Sequence, residues 1–294
     1  MAGNAPRMET PAEEVRERRG IRKGLYLLPS AFTAANIGMG YYAVMASLRG
    51  FQLLDTDTSA ATANFDNAAR AIGWAMLFDA LDGRIARMTK TTTEMGIQLD
   101  SLADVLTFGI APAVLAYAWG YGAAFADGSQ AQKLGWFVSF MFLICGALRL
   151  ARFNVQATRP RPLLEGTAKV DKKNFVGLPI PAAAGLIASI VHFAPTPLKT
   201  YEGDLASLYS GLIMGLIAVL GPLMVSTIRY SSFKGVGGTR RSTTRVVLFL
   251  AAIGMLVWLY SRYTLLAIVS AYVLHGLVLR VASLFRFRQP QESH

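Results

Sequence analysis

Hydrophobic residues along this chain fall into long blocks, which short polar or basic stretches separate. Eight blocks approach or reach the ~20 residues that a helix needs to cross a bilayer, and they are centred near residues 36, 75, 111, 144, 187, 216, 253 and 274. The block over 246–260 is short and runs almost directly into the next one at Ser261 and Arg262. The pattern predicts an all-α polytopic membrane protein with about eight transmembrane helices.

The composition agrees with a membrane protein, because 53% of the residues are hydrophobic and 16% are charged, against about 25% charged residues in a typical soluble domain. When the predicted helices are followed from a cytoplasmic N-terminus, twenty-four of the 29 Lys and Arg residues fall on the cytoplasmic side and five on the other. Since cytoplasmic loops are enriched in basic residues, we expect both termini to face the cytoplasm and the chain to lie in the inner (cytoplasmic) membrane. The net charge of +11 then faces anionic lipid headgroups, and no nucleic-acid partner is expected.

Four aspartates interrupt the apolar pattern within 26 positions, at Asp79, Asp82, Asp100 and Asp104. A carboxylate inside a membrane segment costs roughly 2.5 kcal/mol or more on insertion scales, so groups of opposite charge must offset it. Helical spacings of three and four residues put the members of each pair on one face, within reach of one ion. Hard cations such as Mg²⁺ and Mn²⁺ prefer oxygen ligands. If the two helices run antiparallel, the pairs meet near the inner membrane boundary, where two cations could bridge them and bind a phosphoryl group.

Small residues lie beside these aspartates on both predicted helices. Gly83, Ala86 and Gly96 leave a smooth strip along which a nucleotide could approach the backbone. Arg87 directly follows Ala86, and its guanidinium could bind a phosphate through two hydrogen bonds. Close packing of helices explains the small residues equally well when they are considered alone. The aspartates therefore carry the prediction of a site.

Residues 79–104 resemble the signature of the CDP-alcohol phosphatidyltransferase family, through the string Asp79-x2-Asp82-Gly83-x2-Ala86-Arg87-x8-Gly96-x3-Asp100-x3-Asp104. The resemblance implies a six-helix core, a homodimer, a divalent-metal site, and displacement of CMP from a CDP-linked lipid by an alcohol. It implies that Asp79, Asp82 and Asp100 bind metal. Asp104 would complete the metal site and act as the catalytic base on the attacking hydroxyl. Gly83, Ala86 and Arg87 would line the pocket for the cytidine diphosphate.

Three further segments, over 28–38, 149–154 and 175–185, resemble the membrane-integral phosphatidylserine synthase branch of that family. The resemblance implies CDP-diacylglycerol as the donor and L-serine as the acceptor. From the first segment we assign Thr33 and Asn36 to nucleotide binding, with helix packing as the alternative for both. From the second segment we assign three residues to binding of the acceptor or of a phosphate, namely Arg149, Arg152 and Asn154. The reason is that guanidinium pairs with carboxylate and with phosphate alike. Arginines that extend to the membrane boundary are the alternative there.

The chain divides into three parts on this interpretation. Residues 1–24 are polar and basic, and we expect a cytoplasmic segment that is disordered or lies on the membrane surface. Residues 25–230 form the catalytic transmembrane core, and residues 231–294 add two transmembrane helices and a short cytoplasmic tail. The histidines at 192 and 275 lie in apolar blocks away from other candidate ligands, and we interpret them as packing residues rather than metal ligands.

Two other functions stay open from the sequence. Within the family, the acceptor could be glycerol 3-phosphate, inositol phosphate or another phosphorylated alcohol, and the arginines at 149 and 152 suit a second phosphate as well as they suit serine. Outside the family, aspartates within membrane segments also occur in ion-coupled transporters. A transporter would leave Ala86, Arg87 and Gly96 without a role, and the chain contains no convincing internal repeat.

Overall fold

The computed structural model describes residues 11–89, 94–158, 174–226, 229–231 and 243–286. These ranges are dominated by helices, as the hydrophobic pattern predicts, and the all-α prediction is confirmed. The α-helices are α1 Pro11–Gln52, α2 Thr58–Thr89, α3 Glu94–Asp104, α4 Ala111–Ala116, α5 Gln130–Thr158, α6 Ile180–Phe193, α7 Asp204–Val225 and α8 Thr243–Arg286. A short 3₁₀ turn, Leu198–Thr200, precedes α7.

Helices α3 and α4 belong to one continuous helical rod, which also includes two π-helical segments. A π-helical segment, Val105–Ile110, joins them directly, and a second one, Tyr117–Tyr121, continues α4. The rod as a whole, Glu94–Tyr121, is 28 residues long. π-Helical turns are rare and occur frequently at functional sites, because the extra residue rotates the side chains that follow. Here the first π turn begins at the residue after Asp104.

Five helical stretches among the described residues are long and apolar enough to cross a membrane, namely Glu94–Tyr121, Gln130–Val155, Ile180–Thr200, Asp204–Val225 and Ala251–Gly276. The blocks predicted around residues 36 and 75 lie within α1 and α2. Both helices are longer than the ~20 residues required to cross. Their charged residues lower their mean hydropathy. The chain is a membrane protein, and the count of eight spans stays a prediction.

Helix α8 turns back on itself at Tyr260, where φ is −134° and ψ is 48°. The hydroxyl of Thr264 donates to the carbonyl of Leu256 at 3.2 Å. In an unbroken helix these two residues would be about 12 Å apart along the axis. Ile253 and Ile268 line the same cavity, because the chain reverses direction between them. The short block over 246–260 therefore ends in a tight reversal, which corresponds to the junction expected at Ser261 and Arg262.

A small two-stranded antiparallel sheet is the departure from all-helical structure within the described ranges. Strand β1, Asn174–Val176, pairs with β2, Arg229–Ser231. The next residue after β1, Gly177, has φ of +82°, and a Cβ there would collide with the main-chain oxygen of Met224. Only glycine accepts this conformation and this close approach readily. The sheet thus joins the segment before α6 to the segment after α7.

Helix α6 lies at the centre of the bundle, since ten of its 14 residues are buried. It packs against α2 on one side and α8 on another, while α1 packs along α2 and α5 along α7. Large apolar side chains cover the outside of the bundle, for example Trp136, Leu212 and Trp258, which are 63%, 61% and 87% exposed. Exposed apolar surface of this extent is typical of a face that lipid covers.

The first predicted segment, residues 1–24, is helical over the part that the structure describes, because α1 begins at Pro11 and continues without interruption into the first apolar block. Residues 1–10 lie outside the described residues. The division into residues 1–24, 25–230 and 231–294 stays a prediction. The last boundary, between residues 230 and 231, falls within β2, and residues 232–242 lie outside the described ranges.

Candidate active site

Helices α2 and α3 bring three of the four aspartates together. Each of Asp79, Asp100 and Asp104 offers one carboxylate oxygen, and these three oxygens all lie within 4.8 Å of one another. The residues are half-buried. Only four residues separate the end of α2 at Thr89 from the start of α3 at Glu94, so the second pair of aspartates follows the first closely along the chain. We call these three residues the carboxylate cluster.

The carboxylate cluster fits a hard divalent cation on the chemistry of its donors. Among the side chains that the structure describes, the ion pairs involve Asp55 and Asp66 and none of the three clustered aspartates. The Oδ1 atom of Asp104 is buried and has no hydrogen-bond partner in the described part of the chain. Buried carboxylates that repel one another need a compensating charge, and oxygen donors suit Mg²⁺ and Mn²⁺.

Asp82 is bound differently from the other three aspartates. It is 6% exposed, and its Oδ2 accepts a short hydrogen bond from the hydroxyl of Thr33 on α1, which is 5% exposed. Asp82 remains close enough to Asp79 and Asp100 for electrostatic interaction. The prediction that Asp82 is a metal ligand therefore stays a prediction, with the carboxylate oriented by α1.

Asn36, one turn further along α1, is 1% exposed, and neither polar atom of its side chain has a hydrogen-bond partner among the described residues. Its main-chain oxygen accepts a hydrogen bond from Thr107 Oγ1 at 3.2 Å, and Thr107 lies in the first π turn. Gly40 permits this approach, because a Cβ there would lie 3.0 Å from both the Cα and the Cβ of Thr107. A buried amide without a partner is costly, so Asn36 suits a bound ligand.

The predicted acceptor group lies at the end of α5. Arg149 is within electrostatic range of Asp104, and its Nε is buried without a hydrogen-bond partner in the described part of the chain. Asn154 donates from Nδ2 to Ser101 Oγ at 2.7 Å, which links α5 to the residue directly after Asp100. Arg152 is exposed. Arg149 therefore lies within electrostatic range of the carboxylate cluster, and the assignment of Arg149, Arg152 and Asn154 to acceptor or phosphate binding stays a prediction.

The four remaining predicted site residues are Gly83, Ala86, Arg87 and Gly96, of which the two glycines can be placed. Gly83 and Gly96 are exposed on α2 and α3, beside the aspartates, as a binding strip requires. Ala86 and Arg87 belong to α2, but their side chains lie outside the described residues. Their assignment to the cytidine diphosphate pocket stays a prediction.

Sequence reasoning missed two polar residues beside the site. Thr107 lies three positions after Asp104 in an apolar run, so its helical spacing was a usable signal. Ser101 follows Asp100 directly, and only the fold reveals that it accepts a hydrogen bond from Asn154. The contact joins residues 53 positions apart, which no local pattern indicates.

Several known proteins are similar in sequence to this chain over most of its length. A CDP-diacylglycerol–serine O-phosphatidyltransferase of Helicobacter pylori is 34% identical over 254 residues, which cover 86% of this chain and 91% of that protein. An archaetidylserine synthase of Methanothermobacter thermautotrophicus is 33% identical over 214 residues, or 72% of each chain. A CDP-diacylglycerol–serine O-phosphatidyltransferase of Saccharomyces cerevisiae is 37% identical over 160 residues, which cover 54% of this chain and 51% of that one.

The profile of the CDP-alcohol phosphatidyltransferase family matches residues 26–225. This range contains α2, α3, α5 and the part of α1 from residue 26 onward, and it therefore includes the carboxylate cluster, Thr33, Asn36 and Arg149. It ends at the last residue of α7, so α8 lies beyond it. With a matched range of this length and a relative aligned over most of both sequences, the chain belongs to the CDP-alcohol phosphatidyltransferase family.

Proposed function

We propose that this protein is a phosphatidylserine synthase, which transfers the phosphatidyl group of CDP-diacylglycerol to the hydroxyl of L-serine and releases CMP. The observation that carries the proposal is the convergence of Asp79, Asp100 and Asp104, whose carboxylate oxygens lie within 4.8 Å of one another. The names of the relatives from Helicobacter pylori and Saccharomyces cerevisiae support serine as the acceptor. Membership of the family argues against the ion-coupled transporter.

In the proposed reaction, the serine oxygen forms a new bond to the phosphorus of the phosphatidyl group, and the bond from that phosphorus to the CMP oxygen breaks. The serine hydroxyl proton moves to the carboxylate of Asp104, which acts as general base. Arg149 binds the serine carboxylate near Asp104, since guanidinium matches a carboxylate through two parallel hydrogen bonds. Arg152 and Asn154 remain candidates for the same pocket or for a lipid phosphate.

The donor is held by α1 and α2. Thr33 keeps the Asp82 carboxylate in one orientation, and the amide of Asn36 supplies both a donor and an acceptor to the nucleotide. Gly83, Ala86, Arg87 and Gly96 are proposed to line the path of the cytidine diphosphate. The acyl chains remain in the surrounding membrane lipids.

Asp79, Asp100 and Asp104 are the proposed ligands of Mg²⁺ or Mn²⁺, with Asp82 contributing to a second ion. A divalent cation held by these residues would supply positive charge to offset the diphosphate and the CMP leaving group. Three carboxylates within 4.8 Å of one another support this assignment. The metal dependence is tested by chelation followed by addition of each ion.

The protein is proposed to form a homodimer with both termini on the cytoplasmic side of the membrane. The distribution of basic residues supports an inner-membrane protein with both termini and the active site at the cytoplasm. A homodimer agrees with α7, where Gly211 and Gly215 form a small-xxx-small pair and a Cβ at either position would meet nothing within 4 Å. Such pairs let two transmembrane helices approach closely.

The decisive experiment measures CMP release by the purified protein from CDP-diacylglycerol with serine, with glycerol 3-phosphate, with inositol phosphate and with no acceptor. We expect release that depends on serine and on a divalent cation, with phosphatidylserine as the lipid product. CMP release with glycerol 3-phosphate and none with serine would show that the acceptor is glycerol 3-phosphate, while the phosphatidyl-transfer reaction of the family would still hold. Absence of CMP release with all three acceptors would overturn the enzymatic proposal.

A further inference from the structure

The hydroxyl of Ser101 connects α3 to α5 between two of the clustered aspartates. Asn154 of α5 donates from Nδ2 to Ser101 Oγ at 2.7 Å. Ser101 Oγ donates in turn to the carbonyl of Ile97, one turn earlier on α3, at 3.0 Å. A hydroxyl has one donor and two acceptor sites, so it makes both bonds at once. The amide of Asn154 is thus connected through one side chain to the backbone of α3.

Helix α3 has little buried apolar surface to fix its orientation. Ala103 is the one residue among its eleven that is buried. Three of its larger apolar side chains face outward, since Met95, Ile97 and Leu102 are 82%, 47% and 67% exposed. Interdigitated side chains normally fix how a helix is rotated against its neighbours. A polar contact therefore has more influence on α3 than on a helix with a full apolar stripe.

Helix α5 provides a firm partner for this contact. Leu150, one turn before Asn154, is 8% exposed and belongs to the buried core, as does Cys145. Helix α5 also packs along α7. The position of Asn154 is therefore set by the core of the bundle, and its hydrogen bond to Ser101 extends that restraint to α3.

The rotation of α3 decides whether its two aspartates can share an ion with Asp79. Successive helical residues differ by about 100° around the axis, so Asp104 lies about 40° from Asp100, and Ser101 lies about 60° beyond Asp104. A side-chain atom lies about 5–6 Å from the axis, so a rotation of about 20° moves it by about 2 Å. That displacement is comparable to the bond from Mg²⁺ to oxygen, about 2.0–2.1 Å. A small rotation of α3 would therefore disrupt the carboxylate cluster.

We propose that Asn154 is a positioning residue for the carboxylate cluster, which holds the rotation of α3 through Ser101 so that Asp100 and Asp104 face Asp79. The inference deepens the proposed function and rests on it, because the cluster is proposed to hold the divalent ion. It assigns the amide of Asn154 to the metal side of the site instead of the acceptor pocket. Partners that orient metal ligands without touching the metal typically change metal affinity by roughly 10–100-fold when they are altered.

The test measures Mn²⁺ binding by the purified full-length protein without substrates, from the loss of the electron paramagnetic resonance signal of free Mn²⁺. Ser101→Ala removes the acceptor of the hydrogen bond, and Asn154→Leu removes its donor with little change in volume. Each change should weaken Mn²⁺ binding by about tenfold and raise the Mn²⁺ concentration for half-maximal CMP release in proportion. Unchanged Mn²⁺ affinity in both variants would overturn the inference.

Two further variants separate positioning from general disturbance. Ser101→Thr keeps the hydroxyl and should restore most of the Mn²⁺ affinity that Ser101→Ala loses. Ser207→Ala on α7 is the matched control, because the hydroxyl of Ser207 donates within its own helix, to the carbonyl of Asp204 at 2.8 Å. It should leave Mn²⁺ binding unchanged, and an equal loss in Ser207→Ala would contradict a specific role for Ser101. Ser101→Ala also serves as the readout if Asn154→Leu gives little folded protein.

The kinetic constants distinguish positioning from acceptor binding. At saturating Mn²⁺, the KM for serine should stay within about twofold of its unaltered value in both variants. A raised KM for serine in Asn154→Leu, with unchanged Mn²⁺ binding in Ser101→Ala, would return Asn154 to the acceptor pocket and overturn the inference. The double variant should bind Mn²⁺ no more weakly than either single variant, because both changes remove the same bond. Additive losses would show independent roles and overturn it as well.

Failure of the inference differs from failure of the proposed function, because Mn²⁺ binding without substrates requires no acceptor. Serine-dependent CMP release by the unaltered protein, with unchanged Mn²⁺ affinity in both variants, overturns the inference alone. Absence of serine-dependent CMP release in the unaltered protein overturns the proposed function. Absence of Mn²⁺ binding by the unaltered protein overturns the metal assignment, and the inference with it.

Discussion

Thr33 of α1 donates a hydrogen bond to the carboxylate of Asp82 on α2, and both side chains are almost completely buried. The first apolar helix of the chain thereby orients one of the four signature aspartates. The other three converge without such a partner among the described hydrogen bonds to their side chains. The site thus has two kinds of carboxylate, one held by a hydrogen bond from α1 and three whose oxygens lie within 4.8 Å of one another.

Substitution of Thr33 tests this contact. Thr33→Val keeps the shape of the side chain and removes the hydroxyl, which leaves a buried carboxylate without its donor. The loss of such a bond corresponds to about 1.5–3 kcal/mol, so we expect at least tenfold lower kcat/KM for CDP-diacylglycerol. Thr33→Ser keeps the hydroxyl and is the matched control. Equal activity of the valine and serine variants would contradict a role for the hydrogen bond.

Asp104→Asn separates stability from activity. Removal of a general base lowers kcat by roughly 10²–10⁴-fold. In the presence of a chelator, the same variant should be more stable than the unaltered protein by roughly 1 kcal/mol, because one of three mutually repelling carboxylates is gone. Thermal unfolding with and without Mn²⁺ measures both effects. The unaltered protein should gain more stability from Mn²⁺ than the variant, and an identical gain would argue against metal binding at Asp104.

Asn36→Leu addresses the buried amide of α1. Replacing an unpartnered buried amide by an apolar side chain of similar volume should stabilise the ligand-free protein by about 1–3 kcal/mol. The KM for CDP-diacylglycerol should rise about tenfold if the amide binds the nucleotide. Asn64→Leu on α2, where the amide donates to the carbonyl of Ala60 at 2.7 Å, is the control and should not alter donor affinity. A stabilised variant with unchanged KM would assign Asn36 to packing.

Gly40→Ala probes the contact between α1 and the first π turn. The new Cβ would lie 3.0 Å from the Cα of Thr107, and overpacking of this kind typically costs about 1–3 kcal/mol. We expect a lower unfolding temperature and reduced activity, since Thr107 lies one turn from Asp104. Gly38→Ala on the same helix meets nothing within 4 Å and should stabilise by about 0.5–1 kcal/mol through helix propensity. Similar effects of both changes would argue that the contact is not tight.

Gly211→Leu and Gly215→Leu test the homodimer. Both changes place a large side chain on an open face of α7, so they should convert a dimer in detergent or nanodiscs into a monomer, as measured by native mass spectrometry. Gly254→Leu is the control, because Gly254 of α8 also has open space around it but belongs to no such pair. If only the Gly254 change dissociated the dimer, the dimer contact would lie on α8 rather than on α7.

Much of the site was predictable because its signals are local. The spacing of Asp79, Asp82, Asp100 and Asp104 follows the helical repeat, so the sequence predicted that they meet across a short turn. The structure brings three of them within 4.8 Å. That Asp82 differs from them depends on Thr33, 49 positions away, and pairings at such a distance leave no local pattern.

The sequence by itself determined an all-helical membrane protein with a carboxylate site and its family, because apolar block length and helical spacing are short-range properties of the chain. The tertiary structure alone decided that α1 holds Asp82 through Thr33, and that Asn154 of α5 contacts Ser101 of α3. Each of these depends on how a helix is rotated about its axis. That rotation is set by packing between helices distant in sequence, at contacts such as Gly40 with Thr107 and His192 with Ser261.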